Sequence, residues 1–175
     1  MTHTTWHPNP FPNNSYFDQM ILDRRKFMLE EVPALLSKLT PDTEARFGLM
    51  TAQHMVEHIL NDGNYMYHRL GEVLSPPTEK QLGFQKFIDN GVQMKHRPSD
   101  KTKADLPELK FDSLEAAVAE VAALTQNFYA HFDENPDFKV YNKFMGELGF
   151  EKVELFFSQH WRYHLWQFKL LDQFS

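Results

Sequence analysis

The chain has 175 residues, no cysteine and a formal net charge of −6. That length reads as one domain with a sizeable core, and the lack of thiols excludes disulfides, thiolate zinc sites, iron–sulfur clusters and a cysteine nucleophile. The acidic balance argues against a general nucleic-acid binder, which needs a basic face for phosphate contacts.

Residues 1–16 are rich in Pro and Asn without periodicity and read as an irregular arm, leaving 17–175 as a single domain. The opening stretch has neither a basic nor an apolar signal-peptide region, and no run approaches the roughly 18 apolar residues of a spanning helix. A cytoplasmic protein with no membrane partner is therefore expected. From about Phe17 to Leu39, apolar residues recur at helical spacing, with Pro33 expected to kink or restart the helix. After a connection containing Pro41 and Gly48, Thr51 resembles an N-cap and opens a helix from about Ala52 to Leu70. A shorter helix is expected around Glu79 to Gln93. The basic cluster Lys95–Lys103 lacks interleaved aromatics and reads as a solvated loop. Asp112–Glu115 forms a capping-box pattern ahead of a helix to about Phe132. A second long loop then leads to a last helix from about Phe150 to Asp172. Strand signals are scarce, with no alternating run of useful length and no Asn-Gly hairpin turn. The pattern is all-α, with four principal helices that suit a bundle.

Nine histidines would give roughly half a pair at i,i+4 by chance, yet the chain has three: His3/His7, His54/His58 and His160/His164. The first lies in the Pro-flanked arm. The other two fall in the best helical candidates, where i and i+4 share a face. His160 and His164 can chelate one ion from a single helix, and a ligand from another helix would complete a three-histidine site with open positions. Neutral imidazoles suit Zn, Ni, Fe or Cu, and three of them leave the ion's charge uncompensated, which acidifies a bound water towards about 7 for zinc. Other chemistries lack their motifs. There is no Glu-x-x-His for a di-iron site, no His-Glu-x-x-His, no serine elbow and no phosphate-binding glycine loop.

The stretches "FGLMTAQHMVEHIL" and "HWRYHLWQF" resemble the DinB-like superfamily of metal-binding four-helix bundles, most nearly a branch of unknown function related to bacillithiol-transferase-like proteins. The resemblance covers most of the chain from about Phe27 and is specific at the two histidine motifs. It implies an up-up-down-down bundle with a long crossover, often as a homodimer. It also implies a divalent metal (Zn, Ni or Fe) held by His58, His160 and His164. His58 takes the ligand place after Met-x-x, and His54 falls to an outer or surface role. Relatives include thiol transferases using bacillithiol, mycothiol or glutathione, a thiol-dependent isomerase, and metal hydrolases. A low-molecular-weight thiol is thus a candidate cofactor beside an unknown small-molecule substrate. DNA binding is not implied.

Asp62, one turn past His58, is the candidate catalytic residue: it could orient a ligand, hold a metal-bound water or act as base. Gln167, one turn after His164, reads as a hydrogen-bonding structural residue, and Glu57 should lie on another face of its helix. Trp161, Tyr163 and Trp166 suit core or dimer packing better than a stacking box, and Arg162 is an isolated candidate for a carboxylate. No role is assigned to Tyr65, Tyr67 or His68. Two functions stay open: a metal-dependent thiol-S-transferase or hydrolase, or a non-catalytic bundle that holds a metal or senses a ligand.

Overall fold

The computed structural model describes residues 23–173, apart from 93 and 96–101. The irregular arm, the beginning of the first helix and most of the basic cluster lie outside the described residues. The molecule is mostly helical. A π-helical turn, Phe27–Glu31, runs directly into α1, Val32–Leu36, with Pro33 in its first turn. Proline is tolerated there because a first-turn N–H has no intrahelical partner in any case. Among the described residues four further α-helices follow: α2, Ala52–Met66; α3, Glu79–Asp89; α4, Leu114–Glu134; and α5, Phe150–Gln167.

The core forms where the apolar spacing predicted it. On α2 the buried face is Ala52, Met55, Val56, Ile59, Gly63 and Met66, a 3–4 repeat broken by one acid, Asp62. This face packs chiefly on α4, which buries Val121, Leu124, Phe128 and Phe132, and secondarily on α5. The α2–α4 approach depends on Gly63, where an added Cβ would stand 2.6 Å from Leu124 Cδ1. The N-terminal helix is tied to the same core by charge. Fully buried Glu154 of α5 accepts from Arg24 Nε at 2.8 Å and from the Tyr129 hydroxyl at 2.9 Å, and the Arg162 guanidinium lies 3.7 Å from the centre of the Phe27 ring. Arg162 therefore faces the N-terminal helix as a cation on an aromatic face.

Helix ends differ from the sequence reading for local reasons. The cap of α4 is Ser113, whose side chain accepts from Ala116 N, rather than Asp112. The helix α5 stops at Gln167 because Lys169 adopts φ +64° and Leu170 N bonds back to Leu165 O, a Schellman closure that apolar periodicity does not report. The long loop after α4 contains a two-stranded antiparallel ribbon, β1 Val140–Asn142 and β2 Gly146–Leu148. Each strand is three residues, too short for an alternation pattern. The turn is made by the Asn142 side chain, which accepts from Phe144 N and Met145 N, and by Gly146 at φ +76°. No helix among the described residues is long and apolar enough to cross a membrane.

Candidate metal centre

His58, on the outward edge of the buried α2 face, meets His160 and His164, one turn apart on α5. The contact between α2 and α5 brings their ring nitrogens together: His160 Nε2 lies 2.9 Å from His164 Nε2 and 3.2 Å from His58 Nε2. One nitrogen from each ring falls within 4.8 Å of the other two. Two imidazole nitrogens ~2.1 Å from one ion at tetrahedral or octahedral angles stand roughly 3.0–3.4 Å apart, so the separations to His160 already suit ligation and any wider one would close on loading.

The second nitrogen of each α5 histidine decides its tautomer. Gln167 Nε2 donates to Phe47 O at 2.9 Å, which a carbonyl can only accept, so the amide oxygen faces His164. His164 Nδ1–H therefore donates to Gln167 Oε1 at 2.8 Å, and His164 Nε2 is left with a lone pair. The backbone at Phe47 and Gly48 is shaped for this contact: Gly48 sits at φ +89°, and a Cβ there would come within 2.9 Å of Gln167 Nε2. Arg46 fixes the same segment through its N–H to Gln167 O and its Nε to Trp166 O. On the other side, His160 Nδ1 is buried 3.0 Å from Asp62 Oδ2, an ion-pair distance though not aligned as a hydrogen bond. The same Oδ2 accepts from Trp161 Nε1 at 2.9 Å. A proton on Nδ1 beside that carboxylate leaves His160 Nε2 also bare. Burial holds His164 well below the ordinary imidazole range, reinforced by His160 and His58, and holds His58 below it as well. Neutral rings with lone pairs converging at 2.9–3.2 Å repel unless a cation or a proton lies among them. A divalent ion fits this donor set.

His58 alone of the three lines a cleft of about 280 Å³ between α2 and the loop 106–111. The loop is stapled onto α2. Glu57 accepts Lys110 N–H at 2.7 Å and Phe111 N–H at 3.2 Å, Gln53 Nε2 donates to Phe111 O at 2.7 Å, and His54 Nε2–H donates to Pro107 O at 3.2 Å. Burial alone would raise the Glu57 carboxyl, but the N–H groups of Lys110, Gln53 and Phe111 outweigh it and hold it below the usual carboxylate range. His54 Nδ1 is taken up by the Thr51 hydroxyl at 2.7 Å, so both of its ring nitrogens are engaged away from the cluster.

Of the sequence candidates, His58, His160 and His164 come together, Asp62 and Gln167 stand behind two of them, and His54 stays outside. Trp161 is core, and Tyr163 and Trp166 pack around Phe47 at 5.9 and 5.5 Å between ring centroids. Tyr65 is exposed, and Tyr67 and His68 meet at a tilted angle, 4.4 Å between ring centroids, beside a second cavity. Glu57 does point away from the histidines, as its position on the helix requires, but its duty there as the anchor of the cleft wall went unread. So did the roles of Phe47 and Gly48, and that of Phe156, whose ring stacks on His160 at 5.8 Å. The glycine was visible, but nothing in the sequence pairs it with a residue about 120 positions later.

No family model matches the chain, and no curated protein or solved structure was found to be similar to it.

Proposed function

We propose that this chain is a DinB-like four-helix bundle, up-up-down-down with a long crossover, that binds one divalent ion (Zn, Ni or Fe) through His58, His160 and His164 and acts as a metal-dependent enzyme of the thiol-S-transferase or hydrolase type. The observation that carries the reading is the set of three Nε2 atoms facing one another, with His164 Nε2 left as a lone pair by Gln167 and the Asp62 carboxylate 3.0 Å from His160 Nδ1. An ion held there with open positions would lower the pKa of a thiol or a water molecule and make the anion available at neutral pH.

The protein's own residues do the rest. Gln167 and Asp62 orient the two α5 imidazoles and keep their second nitrogens protonated, which raises the basicity of the ligating ones. Asp62 thereby becomes a positioning residue, since its Oδ2 accepts from Trp161 Nε1 and lies 3.0 Å from His160 Nδ1. His54 and Asp62, the two groups able to saturate the centre, are both engaged elsewhere. This supports an open site over a closed structural one. The mainly apolar cleft beside His58 limits water and gives a small substrate its way in.

The test is elemental mass spectrometry on untagged protein. About one Zn, Ni or Fe per chain is expected in wild type, with loss in both His58→Ala and His164→Ala. Protein that remains metal-free when metal is offered would remove the basis for the reading. Metal-loaded protein is then assayed for thiol transfer and hydrolysis.

A further inference from the structure

The cleft at His58 has a neighbour. A second cavity of about 350 Å³ lies beside it between α2 and α4, and the two share Glu57, Asn61 and Lys110 in their linings. Their linings differ. The first has Met50, Leu106 and Pro107 around His58. The second has Asn64, Tyr67 and Asn127 above a floor that includes Gly63 and Leu124.

We infer that the centre serves an elongated ligand in two parts: a short, mainly apolar head that reaches His58, and an uncharged polar tail, amide- or hydroxyl-bearing, that lies between α2 and α4. The inference rests on the metal reading for the head alone. The tail compartment stands on its own geometry. Asn64 Nδ2 donates to Asn61 O and Asn61 Oδ1 at 3.0 and 3.2 Å, which leaves Asn61 Nδ2 as a donor and Asn64 Oδ1 as an acceptor. The Asn127 amide and the Tyr67 hydroxyl make no hydrogen bond among the described residues, so the cavity offers both donors and acceptors. Its charges largely cancel. Lys110 and Glu120 are of opposite sign, and the Glu57 carboxylate is already taken by two backbone N–H groups and Gln53. A charged tail would therefore gain little and lose hydration, whereas a neutral polar one can pair with the amides.

The spacing sets the length. Asn64 lies six residues beyond His58 on α2, about 9 Å along the axis, so head and tail must be joined by a spacer that reaches roughly this far. Glu57 links the two compartments physically. Its bonds to Lys110 N and Phe111 N hold the loop that closes the first cavity and borders the second. Shape selection at this site accordingly belongs to loop 106–111 as much as to the histidines.

The test uses the full chain, zinc-loaded and metal-free, followed by amide chemical shifts in solution. The probes are acetohydroxamate, a head alone, and a succinic monohydroxamate amidated with glycinamide, a head with a neutral diamide tail. In loaded protein the tailed probe is expected to shift both compartments, including Asn64 and Asn127, and to bind at least about tenfold more tightly than acetohydroxamate. In metal-free protein the tailed probe alone still shifts Asn64 and Asn127, at higher concentration. Exposed Ala123 borders the tail cavity, and Ala123→Trp fills it. That variant should abolish the advantage of the tail while leaving metal content and acetohydroxamate affinity unchanged. Equal affinity of the two probes for loaded wild type, absence of tail-compartment shifts, or survival of the advantage in Ala123→Trp would each overturn the inference. Protein that takes up no zinc yet shows the Asn64 and Asn127 shifts would instead overturn the metal reading and keep the tail compartment.

Discussion

Replacing Gln167 with Ala tests the tautomer argument on which the centre depends. The side chain is buried and makes two hydrogen bonds, 2.8 Å to His164 Nδ1 and 2.9 Å to Phe47 O. Removing it strands two buried polar groups, each worth about 1–3 kcal/mol when left unsatisfied. The imidazole has an escape that the carbonyl lacks. Its proton can move to Nε2 and donate to His160 Nε2, 2.9 Å away. In metal-free protein the loss should therefore be about 2 kcal/mol rather than the sum of both penalties, a fall of about 1 M in the urea midpoint. The same escape blocks the nitrogen that faces the metal, so zinc affinity should drop by about 10- to 100-fold, the usual cost of removing an orienting partner. Gln167→Glu separates the two effects. A carboxylate still accepts from Nδ1–H but cannot donate to Phe47 O, so stability falls while zinc affinity is kept. The assays are urea unfolding of metal-free protein and zinc titration against a competing chelator. A Gln167→Ala protein within ~0.5 kcal/mol of wild type, with unchanged zinc affinity, would refute the reasoning.

Three further outcomes follow from the same geometry. Asp62→Ala should retain one zinc per chain but with about 10- to 100-fold weaker affinity, and Asp62→Asn, which keeps an acceptor for Trp161 Nε1, should be milder; complete loss of stoichiometric zinc in the asparagine variant would make Asp62 a ligand instead. Burial depresses His58 and His164 below the ordinary value of 6.5, so below that pH the unfolded chain binds more protons than the folded one. Metal-free stability should then be full above 6.5 and fall as the pH drops through the depressed folded values. In loaded protein zinc release, followed with a chromogenic chelator, should start only below 6.5; release beginning above it would contradict the shifts. Finally, Glu154→Leu strands the largely buried Arg24 and the Tyr129 hydroxyl and should cost about 3 kcal/mol in thermal or urea unfolding, whereas Tyr129→Phe, which spares the ion pair, should cost only about 1 kcal/mol.

The parts of the fold written in the sequence are those whose causes are local. Thr51 and the 3–4 spacing from Ala52 to Met66 specify α2, and Ser113 with the run from Leu114 to Phe132 specifies α4. The His160/His164 pair was legible because helical geometry alone puts i and i+4 on one face. Its partner was harder. His54 and His58 have the same spacing, and only their distant contacts separate them: Pro107 O for His54, His160 for His58. The ribbon was invisible because each three-residue strand is held by one Asn side chain and the pairing itself, without periodicity. Glu57 was misjudged in importance for a related reason. Helical geometry correctly turns it from the histidines, but the two backbone N–H groups it serves belong to a loop more than fifty residues downstream.

This division between local and distant causes bears on how the centre works. The α5 histidines are braced from behind: His164 by Gln167, Phe47 and Gly48, and His160 by Asp62 and Trp161. Both braces are buried and lean on the core, so these two nitrogens are preorganised at the expense of freedom to move. Among the described residues His58 has no hydrogen-bond partner at its second nitrogen and only His160 at the first, and His58 alone of the three borders the cleft. A ligand set with two rigid members and one compliant member can draw together on loading without disturbing the core. The compliant member also lines the cleft through which a substrate would arrive on the proposed function. Changes to the loop 106–111 or to Glu57 should therefore act on ligand selection through His58 and leave the α5 pair in place, whereas changes to Gln167 or Asp62 should act on the ion itself.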